Sequence, residues 1–315
     1  MIALVTGGRG FIGSHLIRAL AAQGVAVIAT TRRPLSDIDW QEAGVEWRHL
    51  DVSSRQAWSD IFESRIDQVY HLGWSTIPRS ADLDPTSDLL DNVVSSLYLF
   101  DAIRMSGQRP RIVFTSSGGT VYGPPQIVPV MEDHPLRPMS AYGLGKVTLE
   151  RYIDIFNVQH GLDAVTLRIG NPYGPGQDIS RQFGVVSTFA SRALQGAPLE
   201  IFGDGSHVRD YLYIDDLIAA LLSAGARTGV GGAINIGSGV GVSLNEIVRQ
   251  LSDILDGAVR VEYKAARGFD VPVSVLGVGM AKAKLDWIPQ TPFNLGLRKT
   301  VDFLASSLGI RLPGQ

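Results

Sequence analysis

The sequence predicts an α/β protein, a doubly wound parallel sheet followed by a smaller C-terminal α/β domain. Three observations lead there. Short apolar runs alternate with helical patterns through the first half of the chain, the order that builds parallel βαβ units. A glycine-rich loop, Gly7-Gly8-Arg9-Gly10-Phe11-Ile12-Gly13, follows the first apolar run and opens the first helix. After Asn171 the alternation gives way at Pro172-Tyr173-Gly174-Pro175-Gly176, a rigid turn segment that marks a change of architecture. The main domain is expected over residues 1–170, with a return of the chain to it around 210–237, and the smaller domain over 171–315.

Each element has its own signal. Ile2–Thr6 reads as a buried strand and Ile12–Gln23 as the first helix. Strands follow at Val25–Thr30, Val45–His49 and Gln68–Leu72, and a long helix is expected across Thr86–Met105. Arg111–Thr115 and Ala164–Ile169 are further β runs, separated by a helix that carries Tyr142. Beyond the turn come a helix at Val185–Gln195, a strand at Leu199–Phe202, a helix at Tyr213–Ala224 and a strand at Ala233–Ile236. Ser243-Leu244-Asn245-Glu246 has the form of a capping box opening a helix that runs to Leu255.

Composition narrows the function. With 315 residues, 45% of them hydrophobic and 19% charged, the chain can fill the core of a globular enzyme. The net charge of -3 and the lack of a basic block speak against nucleic acid as a partner. There is no cysteine, which removes disulfides and thiolate chemistry together, and the six histidines lack metal-ligand spacing, so no metal is expected. No apolar run reaches membrane-spanning length, and the start, Met1–Thr6, is too short for a signal peptide, so a cytoplasmic location is expected.

Two motifs carry chemistry. Gly7, Gly10 and Gly13, placed between a strand and a helix, let backbone amides approach a pyrophosphate at the helix N-terminus, the arrangement of a dinucleotide site. Phe11 and Ile12 belong to that loop. Such sites often place an acid at the end of the second strand to hold the adenosine ribose of NAD. Here Thr30-Thr31-Arg32-Arg33 offers none. Arg32 or Arg33 would suit the 2′-phosphate of NADP, or the two are solvated arginines at a strand end. Asp51-Val52 is placed to reach the adenine edge, and Leu72-Gly73-Trp74 to lie against the cofactor ribose.

The second motif is Tyr142-Gly-Leu-Gly-Lys146. Four residues span about one helical turn, so both side chains share a face. A free tyrosine titrates near pH 10. An ammonium beside it is expected to lower that value and make Tyr142 a usable base. Taken alone, the pair also fits an exposed helix with an unrelated tyrosine and lysine.

Six segments in order, TGGRGFIGSH (6–15), TSSGGTVYG (115–123), YGLGK (142–146), LRIGNPYGPGQ (167–177), IFGDGSHVRDYLYIDD (201–216) and INIGSG (234–239), resemble the extended short-chain dehydrogenase/reductase family, within it the NAD-dependent nucleotide-sugar epimerases similar to UDP-glucose 4-epimerase. The resemblance implies a Rossmann-type fold and bound NAD, with NADP as the alternative. It makes Tyr142 the general base toward the sugar 4-hydroxyl, Lys146 its electrostatic partner and a ribose ligand, and Ser117 the hydroxyl that bonds the reacting oxygen. An extra glycine at Gly118-Gly119 leaves Ser116 and Thr120 as stand-ins for Ser117. Thr115 and Asn92 would support the cofactor site. Asn171 and Arg209 would bind the nucleotide-diphosphate sugar, and Arg267 with Asp270 would supply a second diphosphate and ribose contact. Helices around 88–104 and 141–160 resemble the family's dimer-forming pair, which implies a homodimer.

The reaction follows from what surrounds Ser117. Dehydratases of the family place an acidic pair directly after that residue, and this chain has Gly118 and Gly119 there. A 4-epimerase is therefore the leading expectation. An NADPH-dependent 4-keto nucleotide-sugar reductase is the alternative, favoured by Arg32-Arg33. A nucleotide-binding regulator without turnover is opposed by the presence of both Tyr142 and Lys146.

Overall fold

The computed structural model describes residues 1–38, 40–179, 184–266 and 271–312. Seven strands form one sheet: β1 (Ile2–Thr6), β2 (Ala26–Thr31), β3 (Val45–His49), β4 (Gln68–His71), β5 (Arg111–Ser117), β6 (Asp163–Ile169) and, after three strands that lie elsewhere, β10 (Gly232–Ile236). Their spatial order is β10-β6-β5-β4-β1-β2-β3, and every pairing is parallel. Parallel strands are covered on both faces and read as continuous apolar runs; Ala3, Leu4 and Val5 of β1 are fully buried accordingly. The chain winds outward in opposite directions from β1. The crevice of such a sheet opens at the carboxyl ends of the strands beside that reversal, here between the loops that follow β1 and β4.

The strands outside this sheet are β7 (Asn171–Tyr173), β8 (Leu199–Phe202), β9 (Val208–Tyr213), β11 (Gly241–Ser243), β12 (Val261–Lys264) and β13 (Val273–Ser274). β9 pairs with β7, β11 and β13, and β8 pairs with β12. Asp210, buried in the middle of β9, accepts bonds from the backbone of Ser238 (2.6 Å), Gly239 (3.2 Å) and Leu276 (3.2 Å). One carboxylate thus pins the loop after β10 and the segment after β13 to the smaller sheet. β9 was not expected, because Val208-Arg209-Asp210-Tyr211 alternates polar with apolar only weakly.

Six helices cover the first half: α1 (Phe11–Ala22), α2 (Arg55–Ile61), α3 (Pro78–Leu83), α4 (Pro85–Asp88), α5 (Ser95–Ser106) and α6 (Ala141–His160). The expected long helix across Thr86–Met105 is interrupted. Its residues divide into α4, a π-helical turn at Leu89–Val94, and α5. Pro85 opens α4, where its missing N–H costs nothing, with Asp84 accepting from Ser87 N at 3.0 Å as the cap. Gly107 and Gly161, both left-handed, end α5 and α6. The capping box at Ser243 is half realised: Ser243 caps Glu246 N at 3.1 Å, while the Glu246 carboxylate turns outward to Arg249 and Gln250.

Behind the carboxyl end of β5 lies a buried ion pair. Arg168 on β6 bonds Glu150 of α6 through Nη2 at 2.7 Å and Nε at 3.1 Å, and both side chains are at most 5% exposed. Ser116 Oγ donates to the same carboxylate, and Arg168 Nη1 donates to Tyr122 Oη at 2.9 Å. Removing one partner of such a pair strands a charge in the interior. Glu150→Ala is therefore expected to destabilise the fold by about 3–5 kcal/mol, while Glu150→Leu combined with Arg168→Leu loses markedly less. Chemical denaturation of the three proteins measures the difference.

Candidate active site

The first strand ends on Thr6, whose hydroxyl organises the crevice. Its Oγ1 accepts from the backbone N–H of Leu72 (3.1 Å) and Gly73 (3.0 Å), and so must donate its own proton to His71 Nδ1 at 2.9 Å. His71 then carries its proton on Nε2, directed at Ser96 Oγ (2.7 Å), which donates to the Asn92 carbonyl. Burial, with the Lys146 charge adding to it, pulls His71 down to about 3, so the imidazole stays neutral. This chain of bonds joins the loop after β1 to the loop after β4 and to the π-turn.

The glycines of the first loop are sterically required. Gly7 has φ +71°, and a Cβ there would stand 2.9 Å from Gly73 Cα; a Cβ on Gly13 would collide with the Gly7 carbonyl. Gly10 begins α1 with no side-chain cap and no acid in the first turn, leaving N–H groups directed into the crevice. Trp74 Nε1, Thr120 Oγ1 and Arg9 Nη1 are buried without a hydrogen-bond partner. An uncapped helix N-terminus, a backbone cradle and unsatisfied donors fit a dinucleotide laid across the crevice. Gly7, Gly10, Phe11 and Ile12 would hold its pyrophosphate.

The predicted contacts at the rim are less uniform. Arg32 is paired with Asp91 at 3.3 Å, each about half exposed. Arg33 follows a turn in which its N–H bonds Thr31 Oγ1 at 3.0 Å. Asp51, two residues after β3, is exposed and accepts from Ser53 Oγ at 2.7 Å and Ser53 N at 2.9 Å, and these bonds hold its carboxyl below the ordinary value. The Val52 carbonyl accepts from Trp58 Nε1 at 3.1 Å.

Tyr142 and Lys146 lie on the first turns of α6. Ser140 caps the helix through Gly143 N at 3.1 Å, and Asp82 of α3 accepts from Ala141 N at 2.8 Å. Lys146 Nζ donates to the Thr115 carbonyl at 2.8 Å. It sits 3.7 Å from the centre of the Trp74 ring, 4.9 Å from Phe114 and 5.6 Å from the Tyr142 ring. Trp74 meets Tyr142 edge to face, with ring centres 5.9 Å apart. Trp74 was expected against the cofactor ribose. Its indole forms the floor beneath the ammonium, a cation–π contact in a dry setting.

Burial works against the expected effect of Lys146 on Tyr142. Burial, helped by the Asp88 carboxylate, pushes the Tyr142 phenol well above its ordinary value. Burial pulls the Lys146 ammonium down to about 7, against the opposing pull of Glu150 and Asp88. Asp88 and Thr76 went unnoticed in the sequence. Their signal is the spacing of Asp88 and Asn92, four residues apart on one helical face.

The hydroxyls near Ser117 sort themselves. Ser116 is buried and committed to Glu150, so it is no stand-in. Ser117 is half-buried at the end of β5, and Thr120 Oγ1 lacks a partner. Gly118 has a packing reason of its own: a Cβ there would lie 2.6 Å from Leu276 Cδ1. On the far side, Asn171 Nδ2 donates to the Asp210 carbonyl at 3.0 Å and its Oδ1 faces Gly119. Arg209 lies on β9 with Nη1 on the Val208 carbonyl at 2.9 Å. Asn92 Oδ1 accepts from Ser75 N at 2.7 Å and fixes the segment after Trp74. Arg267 and Asp270 lie outside the described residues.

Comparison with known proteins agrees with this geometry. The NAD dependent epimerase/dehydratase family model matches residues 3–237. A UDP-glucose 4-epimerase of Mycolicibacterium smegmatis is 35% identical, covering 96% of this chain and 98% of that one. The structure of a Thermotoga maritima UDP-glucose 4-epimerase with UDP-glucose superimposes with a TM-score of 0.92 at 33% identity, over 98% of this chain and 100% of that one. A Thermus thermophilus UDP-glucose 4-epimerase in complex with NAD gives a TM-score of 0.89 at 33% identity, with the same coverage.

The low Lys146 value makes a stability prediction. A lysine that titrates near 7 when folded and 10.5 when unfolded binds more protons unfolded, so stability rises with pH between those values and the penalty is complete below pH 7. Lys146→Met is expected to exceed the wild type in thermal stability at pH 6, by up to about 5 kcal/mol at roughly 1.4 kcal/mol per unit. The gap should close as pH climbs toward 10. Melting curves across that range test it.

Proposed function

From the premise that this chain belongs to the NAD dependent epimerase/dehydratase family, we propose that it is a UDP-sugar 4-epimerase. The carrying observation is Tyr142 beside Lys146 at the crevice, with glycines where a dehydratase needs an acid. A Cβ at Gly118 would stand 2.6 Å from Leu276 Cδ1, so an acid there would have to displace that side chain. Elimination of water lacks a proton donor at that place, and reversible oxidation of an alcohol does not need one.

In this reading Tyr142 takes the proton of the sugar 4-hydroxyl and later returns it to the same oxygen. Ser117, with its side chain at the strand end, holds that oxygen in line. Bound NAD supplies the hydride acceptor and donor, together with a positive charge that offsets the cost of a phenolate. Lys146, fixed between Thr115 and Trp74, adds a second positive charge and a ribose contact. Its pull toward 7 means that this help fades as pH rises past neutrality. Asn171 and Arg209 hold the nucleotide-diphosphate part, Thr120 donates to the sugar, and a guanidinium suits a diphosphate because its fork bonds two oxygens at once. Residues 1–170, with 210–237, form the cofactor half, and the remainder of 171–315 the substrate half. NAD rather than NADP is favoured because Asp91 neutralises Arg32, the residue best placed for a 2′-phosphate.

We also infer a homodimer formed through α5 and α6. Leu144, Tyr152, Ile155 and Val158 on α6, and Met105 on α5, are exposed at 38–87%. Apolar side chains recurring at helical spacing call for a partner surface.

Three outcomes are expected. Protein denatured after purification releases NAD at one per chain, identified by mass; empty protein that consumes NADPH with a 4-keto sugar nucleotide overturns the epimerase in favour of the reductase. Tyr142→Phe keeps the melting temperature and loses at least about 100-fold in turnover of UDP-hexoses; an unchanged rate removes Tyr142 from the mechanism. Ile155→Glu with Val158→Glu converts a dimer to a monomer in sedimentation, and a wild type that is already monomeric refutes the interface.

A further inference from the structure

One carboxylate beside the Tyr142–Lys146 pair has no part in the reaction just described. Asp88 ends α4 and is 2% exposed. Its Oδ1 accepts from Thr76 Oγ1 and, at 2.9 Å, from Asn92 Nδ2. Its Oδ2 stands 3.3 Å from where a Cβ on Gly145 would lie, and the Trp74 ring stands 3.2 Å from the same point. Gly145 is on α6 between Tyr142 and Lys146, so the missing Cβ is what lets carboxylate and indole close on the helix together. Among the described residues Asp88 has no cation within 4 Å. Burying a lone carboxylate is costly, and its two donors, Thr76 and Asn92, belong to segments that the Thr6–His71–Ser96 chain fixes in place.

We propose that Asp88 is a positioning residue for proton transfer at Tyr142, a fixed negative charge that holds the phenol protonated and the Lys146 side chain charged. It would set the pH at which the pair accepts a proton while acting only through other residues. The inference rests on Tyr142 being the proton acceptor. The directions agree: the Asp88 charge raises Tyr142 and opposes the lowering of Lys146.

Other charges near α6 are each already committed. Asp82 of α3 bonds Ala141 N, and Asp91 of the π-turn pairs with Arg32. Glu150 on α6 itself pairs with Arg168 of β6. His71 of β4 is neutral. On α5, Asp101 pairs with Arg104 and with Arg55 of α2. Asp88 is left as the carboxylate whose charge reaches Tyr142.

The test is the ionisation of Tyr142 in the full chain as purified, read from ring-labelled tyrosine by carbon NMR and assigned with Tyr142→Phe. In Asp88→Asn the phenolate signal should emerge about one pH unit lower than in the wild type, and the acid limb of kcat/KM for a UDP-hexose should move the same way. Thr76→Val keeps the charge and should produce no downward move. A signal that emerges at the same or a higher pH in Asp88→Asn overturns the proposal, and so does an equal drop in Thr76→Val. Asp88→Ser, which still offers an oxygen to Thr76 and Asn92, replaces Asp88→Asn if that variant does not fold. The NMR reading needs no turnover, so it stands apart from the fate of the epimerase assignment, which Tyr142→Phe kinetics decides.

Discussion

A buried ammonium at the carboxyl end of the sheet governs what lies around it. Lys146 is 3% exposed, and an ion taken out of water demands replacement for the hydration it loses. The structure provides one carbonyl from Thr115, the face of Trp74, and two carboxylates at a distance, Glu150 and Asp88. Each of these needs support in turn. Glu150 is held by Arg168 and Ser116, Asp88 by Thr76 and Asn92, and Asn92 by the chain that begins at Thr6. The polar groups around the carboxyl ends of β4 and β5 are therefore linked, through these contacts, to a single charge.

That arrangement explains a tension in the proton chemistry. Dryness strengthens every charge interaction in the crevice, and it also makes each charge expensive to create. Without an added positive charge, the phenol is the stable form of Tyr142 and the lysine titrates near neutrality. His71 nearby stays outside this proton chemistry, because it is locked in one tautomer by donors and acceptors that are all in use.

Much of this was legible in the sequence. The inner strands of the main sheet were recognisable because parallel strands must be apolar on both faces, and Ile2–Thr6 was placed to the residue. The glycine loop was legible because only glycine tolerates the approach of Gly73 to Gly7. The hidden parts have physical reasons. β9 carries Arg209 and Asp210 in its middle, the second of them used as an internal staple, so its alternation is obscured. Asp88 went unnoticed, since the closing of Trp74 and Gly145 over it depends on elements distant in the sequence. Trp74 was noticed for its position after β4, but its role depends on α6, which follows about seventy residues later in the sequence.

The π-turn at Leu89–Val94 separates two jobs within what would otherwise be one helix. A wider turn carries one more residue than the α-helical ladder needs, and one residue is worth about 100° of rotation at 3.6 residues per turn. On the far side, α5 keeps Leu99, Phe100 and Ile103 in the core. On the near side, α4 ends on Asp88, which accepts at 2.9 Å from Asn92 Nδ2 within the turn, both side chains buried. The turn therefore works as a phase shifter between packing and chemistry, allowing the core face of α5 to be rebuilt without re-aiming the residues that serve Tyr142. Deleting a single residue within it would leave both halves helical and point the carboxylate away from the base.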